Sequence, residues 1–207
     1  MPRVEELFAE AGVAPAACDA FAFGSGPGSF TGLRVACTIA QGLAFGTRRP
    51  VIAVGNLAAL AYQAAAAPPH GAAPRRVLAA IDARMGQAYV AVLAGAGTAW
   101  ETLLAPALVD RLELSALIAR WRPDVCAGDA AWLQGSLAPG VPAAEAAAGV
   151  ALRDARADAG SILALAQEQL ARGQILSPEQ AAPQYVRDDV ARTVAQRRTA
   201  MAQDAPS

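Results

Sequence analysis

The sequence predicts an α/β protein, parallel in its first half and antiparallel at the start of its second. Two stretches carry that expectation. Phe21 to Gly46, FAFGSGPGSFTGLRVACTIAQGLAFG, reads as a buried strand, a glycine-rich turn and a long helix, and a further strand and helix follow. Strand–helix–strand–helix needs crossovers, and crossovers give parallel neighbours. Beyond a Pro/Gly-rich break, three strand-like runs succeed one another without a helix, the pattern of an antiparallel meander.

Taken in order, Pro2 to Ala11 reads as an amphipathic helix. Val4, Leu7, Phe8 and Ala11 share one face, Glu5, Glu6 and Glu10 point away, and Gly12 ends it. Ala20 to Phe23 is the first strand. Gly24-Ser25-Gly26-Pro27-Gly28 is the turn, where glycine allows positive φ and close backbone approach and Pro27 fixes one φ. Ser29 or Thr31 caps the next helix, and Gly46 stands where a C-terminal glycine is expected. Arg48-Arg49-Pro50 turns into a second strand, Val51 to Val54. Gly55-Asn56 then caps a helix from Leu57 to Ala67, and Pro68 to Pro74 is a hinge by composition. Val77 to Ile81, Ala88 to Leu93 and Thr98 to Leu104 are the strands of the meander. Val109 to Trp121 is a helix and Asp124 to Ala127 a short strand, followed by an alanine-rich stretch without clear pattern. Ala159 to Ala171 is a helix with Ile162, Leu163, Leu165, Ala166 and Leu170 inward, closed by Gly173. The hinge divides the chain into a first lobe (1–74) and a second lobe (75–185), with a polar tail (186–207).

The helix after the glycine turn has an unusual surface. Gly32, Ala36, Ala40 and Ala44 recur every fourth residue, a stripe along which another helix can approach closely. Beside it lie Leu33, Val35, Cys37, Ile39, Leu43 and Phe45, so only Arg34 and Gln41 are strongly polar. A helix apolar around most of its circumference is either deep in a domain or half covered by a partner. In a chain of 207 residues, a partner on one side is the expectation.

Composition narrows the function classes. The chain is 55% hydrophobic but only 5% aromatic, so its core is built from Ala, Leu and Val. Its 17 basic residues nearly cancel 18 acidic ones, and no basic stripe marks a phosphate-tracking surface. Every basic residue is arginine, so a mechanism that needs lysine is excluded. Cys18, Cys37 and Cys126 are widely spaced and read as small core hydrophobes in a reducing compartment. No signal peptide opens the sequence, and no apolar run approaches the roughly 20 residues of a membrane span. The expected location is the cytoplasm.

Few residues offer chemistry. The glycine turn before a helix could cradle an anion. Yet G-x-G-x-x-G fails because Ser29 takes the third glycine position, and a Walker A motif fails without lysine. The other reading is that these glycines shape and pack a tight turn. His70 is the only histidine and falls in the hinge, which leaves no zinc pair and no H-E-x-x-H. It reads as a solvated loop residue. Asp82 ends a buried strand, where nucleotide-binding folds place carboxylates, or else it caps its own turn and pairs with Arg84. Asp129 carries the same two readings. The carboxylates are scattered, and no acid/base couple stands out.

Four blocks add a family resemblance. They are GSGPGSFTGLRVACTIAQGLAFG, PVIAVGNLAALA, VLAAIDARMGQAYVAVL and APQYVRDDVA, and in this order they resemble the TsaB family, bacterial glycoprotease-like proteins of tRNA threonylcarbamoyladenosine biosynthesis. The resemblance covers nearly the whole chain and is loose only from Thr98 to Ala159. It implies the actin-like ATPase fold of two ribonuclease-H-like lobes, without a working active site. It implies a catalytic paralogue, TsaD, and an ATPase, TsaE, as partners, with tRNA reached only through the complex. It implies no cofactor in this subunit, the complex depending on ATP through other subunits. Contact with the paralogue, and a self-dimer through the same face, would use Gly32, Leu33, Val35, Ala36, Ile39, Ala40, Leu43 and Ala44, with Val4 and Phe8 of the first helix. A vestigial nucleotide cleft would involve Gly26, Gly28, Ser29, Asp82 and Arg84.

One departure sets a further expectation. The family opens with a β-meander, whereas this sequence starts at the helix that follows it, so the first lobe is expected to be truncated at its N-terminus. Such a chain should expose a sheet edge and be poorly soluble alone. A version extended upstream should then melt higher. Two functions remain: a non-catalytic partner subunit, or an ATP-dependent phosphotransferase or ATPase using the glycine turn and Asp82.

Overall fold

The computed structural model describes residues 2–66, 75–129, 133, 135 and 150–187. His70, the hinge, most of the alanine-rich stretch and the tail beyond 187 lie outside the described residues.

The chain opens with α1 (Pro2–Ala11), which ends at Gly12 with φ +64°, as its pattern predicts. No residue of α1 is buried, and Leu7 is 64% exposed. Strand β1 (Phe21–Gly26) runs three residues further than expected, because Gly24 and Gly26 continue the pairing with β2, Ser25 bulging between them, instead of turning. Helix α2 (Phe30–Thr47) is capped by Ser29, whose hydroxyl accepts from the Gly32 N–H at 3.4 Å. Gly46 does not cap it. The helix runs on to Thr47, and Arg48, with φ +55°, is the left-handed residue, its N–H reaching the Ala44 and Phe45 carbonyls.

Strand β2 (Val51–Gly55) pairs parallel with β1, and α3 (Asn56–Ala66) follows directly. The other edge of β2 is partly covered by Leu176, which exchanges two backbone hydrogen bonds of 2.9 Å with Val51. The second sheet has five strands in the order β5-β4-β3-β6-β7. β3 (Arg75–Arg84), β4 (Gln87–Ala96) and β5 (Ala99–Val109) form the antiparallel meander, each longer than its apolar centre suggests. β5 tolerates Pro106 because it is the edge strand, and the register shifts beside it. Helix α4 (Arg111–Trp121) leads to β6 (Val125–Gly128), parallel to β3. Parallel to β6 lies β7 (Ala151–Asp154), a strand that its Ala-Leu-Arg-Asp sequence does not announce.

Helix α5 (Ala159–Ala171) begins on a capping box. The Asp158 carboxylate accepts from the Ser161 N–H at 2.7 Å, and the Ser161 hydroxyl accepts from the Asp158 N–H at 3.2 Å. Ile162, Leu165 and Ala166 are buried as expected, but Leu163, expected inward, is exposed because it turns to the opposite side of the helix.

Apolar side chains sort these elements into layers. Leu57, Leu60, Ala61 and Ala64 of α3 pack on one face of the five-stranded sheet. Leu114 and Ile118 of α4 cover its other face. The opposite side of α3 meets Ile52 and Val54 of β2 together with Ile162 and Leu165 of α5. Thus α5, grouped with the second lobe by its place in the sequence, packs on β1, β2 and α3. The far face of β1 and β2 carries α2, through Phe21, Phe23, Cys37, Ala40, Ala44 and Val51.

Candidate functional site

Two concavities gather the residues that the sequence marks. The first is a cleft of about 380 Å³ between the glycine turn and the β3–β4 hairpin. Gly28, Ser29, Asp82 and Arg84 line it together, although more than 50 residues separate the two pairs. Gly26 does not line it. With φ +123°, Gly26 is buried, and a Cβ there would lie 2.6 Å from the Gln184 carbonyl oxygen. Close approach is also what Gly24 provides: Asn56 crosses above it, and the Asn56 side-chain amide donates to the Pro27 carbonyl at 3.1 Å. The glycines of the turn therefore do packing work.

Asp82 behaves as a turn residue. Its carboxylate accepts from the Arg84 N–H at 2.7 Å and meets the Arg84 guanidinium at 3.3 Å. This pairing carries Arg84 and Met85 through positive φ, +66° and +56°, ahead of Gly86 at +76°. On the other side of β3, Asp82 and Asp129 share a smaller pocket of about 300 Å³ with Arg156. The two carboxylates look scattered in sequence. They converge because β3 and β6 are parallel neighbours and both aspartates lie at the carboxyl ends of those strands.

Sequence reasoning missed the aromatic and cationic group at the rim of the cleft. Phe30 and Tyr185 have ring centroids 5.5 Å apart, and the Arg34 guanidinium lies 4.1 Å from the Phe30 centroid. Arg34 Nε also donates to the Tyr185 hydroxyl at 2.9 Å. The one available signal was an aromatic residue inside an otherwise polar C-terminal stretch.

The second concavity is an open, mostly apolar groove of about 1050 Å³ between α1, β1, α2 and the start of α5. Gly32, Leu33, Ala36, Ile39, Ala40 and Leu43 border it, with Phe8. The small-residue stripe does not behave as one surface. Ala40 and Ala44 are 4% and 0% exposed, and with Leu33 they are buried against their own chain, where small side chains let α2 settle on β1 and β2. Gly32 and Val35 are exposed; Ala36, Ile39, Leu43, Val4 and Phe8 are half-buried. The outward face is thus Val35, Ala36, Ile39 and Leu43, with Val35 at 52% exposure.

The two sheets, their helical layers and the cleft define a protein of the actin-like, ribonuclease-H-like α/β class. Residues 1–125 match the family model TsaD, tRNA N6-adenosine threonylcarbamoyltransferase. The tRNA threonylcarbamoyladenosine biosynthesis protein TsaB of Escherichia coli strain K12 is 35% identical over 200 residues, 92% of this chain and 80% of its own length. The protein of the same name from Haemophilus influenzae is 52% identical over 89 residues, which are 43% of this chain and 36% of that one. Two solved structures from Pseudomonas aeruginosa are similar. One is an uncharacterized protein with similarity to peptidase YEAZ: 38% identity, TM-score 0.71, 90% of this chain and 82% of the other. The second is YeaZ: 35% identity, TM-score 0.67, 89% and 81%. The chain belongs to the TsaB family.

Proposed function

We propose that this chain is a non-catalytic partner subunit in tRNA threonylcarbamoyladenosine biosynthesis, the process that its relatives' names carry. In this reading a TsaD-like catalytic paralogue docks on α1 and the outer face of α2. A TsaE-like ATPase acts in the same complex, tRNA is met only through it, and a second copy of the chain uses the same face. The observation that carries the reading is the apolar groove, with the exposed Leu7 of α1 in its lining and the exposed Val35 of α2 beside its Ala36. Exposed apolar patches of this kind mark protein-binding surfaces. The match of residues 1–125 to the TsaD family adds that the partner would be built on a related fold, so that like helices could pack on like.

Co-purification with the TsaD-like protein tests it. Val35→Glu leaves the free chain folded, because the position faces solvent. In a complex it buries an unpaired charge, which costs about 3 kcal/mol, roughly a hundredfold in Kd. Ala36→Glu, half-buried, is the second variant. Normal capture by both would remove α2 from the interface. Ala40 is unsuitable for this test because a charge there would unfold the chain's own core.

A second reading, an ATP-dependent phosphotransferase or ATPase, draws on one observation: Gly28, Ser29, Asp82 and Arg84 share a cleft. ATP turnover by the purified chain, lost in Asp82→Ala, would decide for it.

A further inference from the structure

Residues 178–187 cross three elements in ten residues. The first anchor is on α2. Gln41 Nε2 donates to the carbonyls of Pro178 and Ala181, both at 3.0 Å, and Cys37 Sγ lies 3.6 Å from the Ala181 oxygen. Ala181 is buried there against the α2 and β1 core. The second anchor is on β1. The register of β1 against β2 shifts between Gly24 and Gly26, which leaves Ser25 out of the ladder. The Gln184 N–H takes up the Ser25 carbonyl at 2.7 Å. The third anchor is on the β3–β4 hairpin. Arg187 Nη2 donates to the Ala83 carbonyl at 3.2 Å and to Gln87 Oε1 at 2.8 Å, on both sides of the turn whose residues take positive φ. Between the second and third anchors, Tyr185 is held by Arg34 of α2.

We propose that this strap is a latch. It ties α2 to the β3–β4 turn and closes one wall of the cleft between them, so that loosening one end frees the other. The spacing of the anchors is the physical reason. Ala181, Gln184 and Arg187 are three residues apart, and three residues span at most about 10 Å, so little chain lies between one anchor and the next to take up a shift. Pro183 fixes a φ between the first two. Gln184, Tyr185, Val186 and Arg187 all line the cleft, so release of the strap changes the cleft directly. Arg34 and Val35 are neighbours on α2, and the latch thereby gives whatever covers that helix a route to the hairpin.

Hydrogen exchange of the full chain, read by mass spectrometry, tests the latch. Gln41→Ala removes a contact to strap residues 178–181 and touches nothing in the hairpin. It should nevertheless speed exchange across residues 82–89 about fivefold to tenfold, the factor that loss of one side-chain hydrogen bond supplies. Arg187→Ala should do the same, in reverse, to residues 178–184. Residues 77–80, interior to β3, should be unchanged in both. If each variant alters exchange only at its own anchor, the strap is three independent contacts and the proposal fails. Should either variant unfold, Tyr185→Phe keeps the ring and removes only the hydroxyl that Arg34 binds. It should speed exchange at both ends, and no change at either end counts equally against the latch.

Discussion

At the scale of single residues, burial sorts the three cysteines. Cys126 is fully buried on β6, an inner strand of the five-stranded sheet, and desolvation pushes its thiol up to about 12. Cys37 is shifted in the same direction by the same cause, and Cys18 is only partly covered. A raised pKa keeps the thiol protonated, and the thiolate is the reactive form. At pH 8 a disulfide reagent should therefore titrate one cysteine quickly, Cys18, and the other two only on unfolding. Fast modification of Cys126 in the native chain would contradict the packing of β6. Gly128 makes the sharper test of that strand. It has φ +153° and pairs with Ala80, and a Cβ would land on the Ala80 carbonyl oxygen. Gly128→Ala should lower unfolding free energy by about 3 kcal/mol, the upper range for overpacking, as read by urea denaturation.

At the scale of elements, two helix ends carry predictions. The α2 C-terminus places Arg48 in the left-handed region, where glycine has no steric penalty. Arg48→Gly should raise stability by about 0.5–1 kcal/mol, and a fall would mean that the arginine side chain contributes more than its backbone costs. At the start of α5, the Ser161 N–H and hydroxyl, aided by Gln63, hold the Asp158 carboxyl below the usual carboxylate range. A depressed native pKa contributes stability above the unfolded value that is lost as pH falls through the native one. The wild-type chain should therefore lose this increment below about pH 4, and Asp158→Asn, which caps without titrating, should flatten that part of the pH–stability curve. These ends also show what local sequence does and does not reveal. The α5 boundaries follow from a 3.6-residue pattern and from Gly173 just past its end, and the capping Asp158 adds a start signal next to the element. Gly46 misleads because the actual stop is set by Ala44 and Phe45 carbonyls finding the Arg48 N–H, a choice that a glycine two residues earlier does not force. β7 is invisible because it is only four residues long and turns its one large apolar side chain, Leu152, outward.

At the scale of the whole molecule, the strand–helix–strand–helix order and the meander are legible because their pairings are local in sequence. The cleft is half legible. Glycines and Asp82 announce themselves by residue type, whereas Gln184, Tyr185 and Arg187 arrive from about 100 to 150 residues away with no periodic pattern to mark them. The apolar stripe of α2 shows a different limit. Small residues at every fourth position serve an external partner or the helix's own sheet equally well, and here Ala40 and Ala44 go inward while Val35 and Ala36 stay at the rim. If the rim serves both a second copy and the paralogue, the two must compete. A stable interface needs about 800 Å² from each partner, and one groove of this size does not supply two such footprints. Sedimentation of the chain alone should then show a concentration-dependent dimer that Leu7→Glu or Val35→Glu converts to monomer. Adding excess TsaD-like protein should convert the dimer to a heterodimer with one copy of each chain. A larger species containing two copies of this chain on one face of the paralogue would show that the surfaces are separate, and α1 and α2 would then account for only one of them.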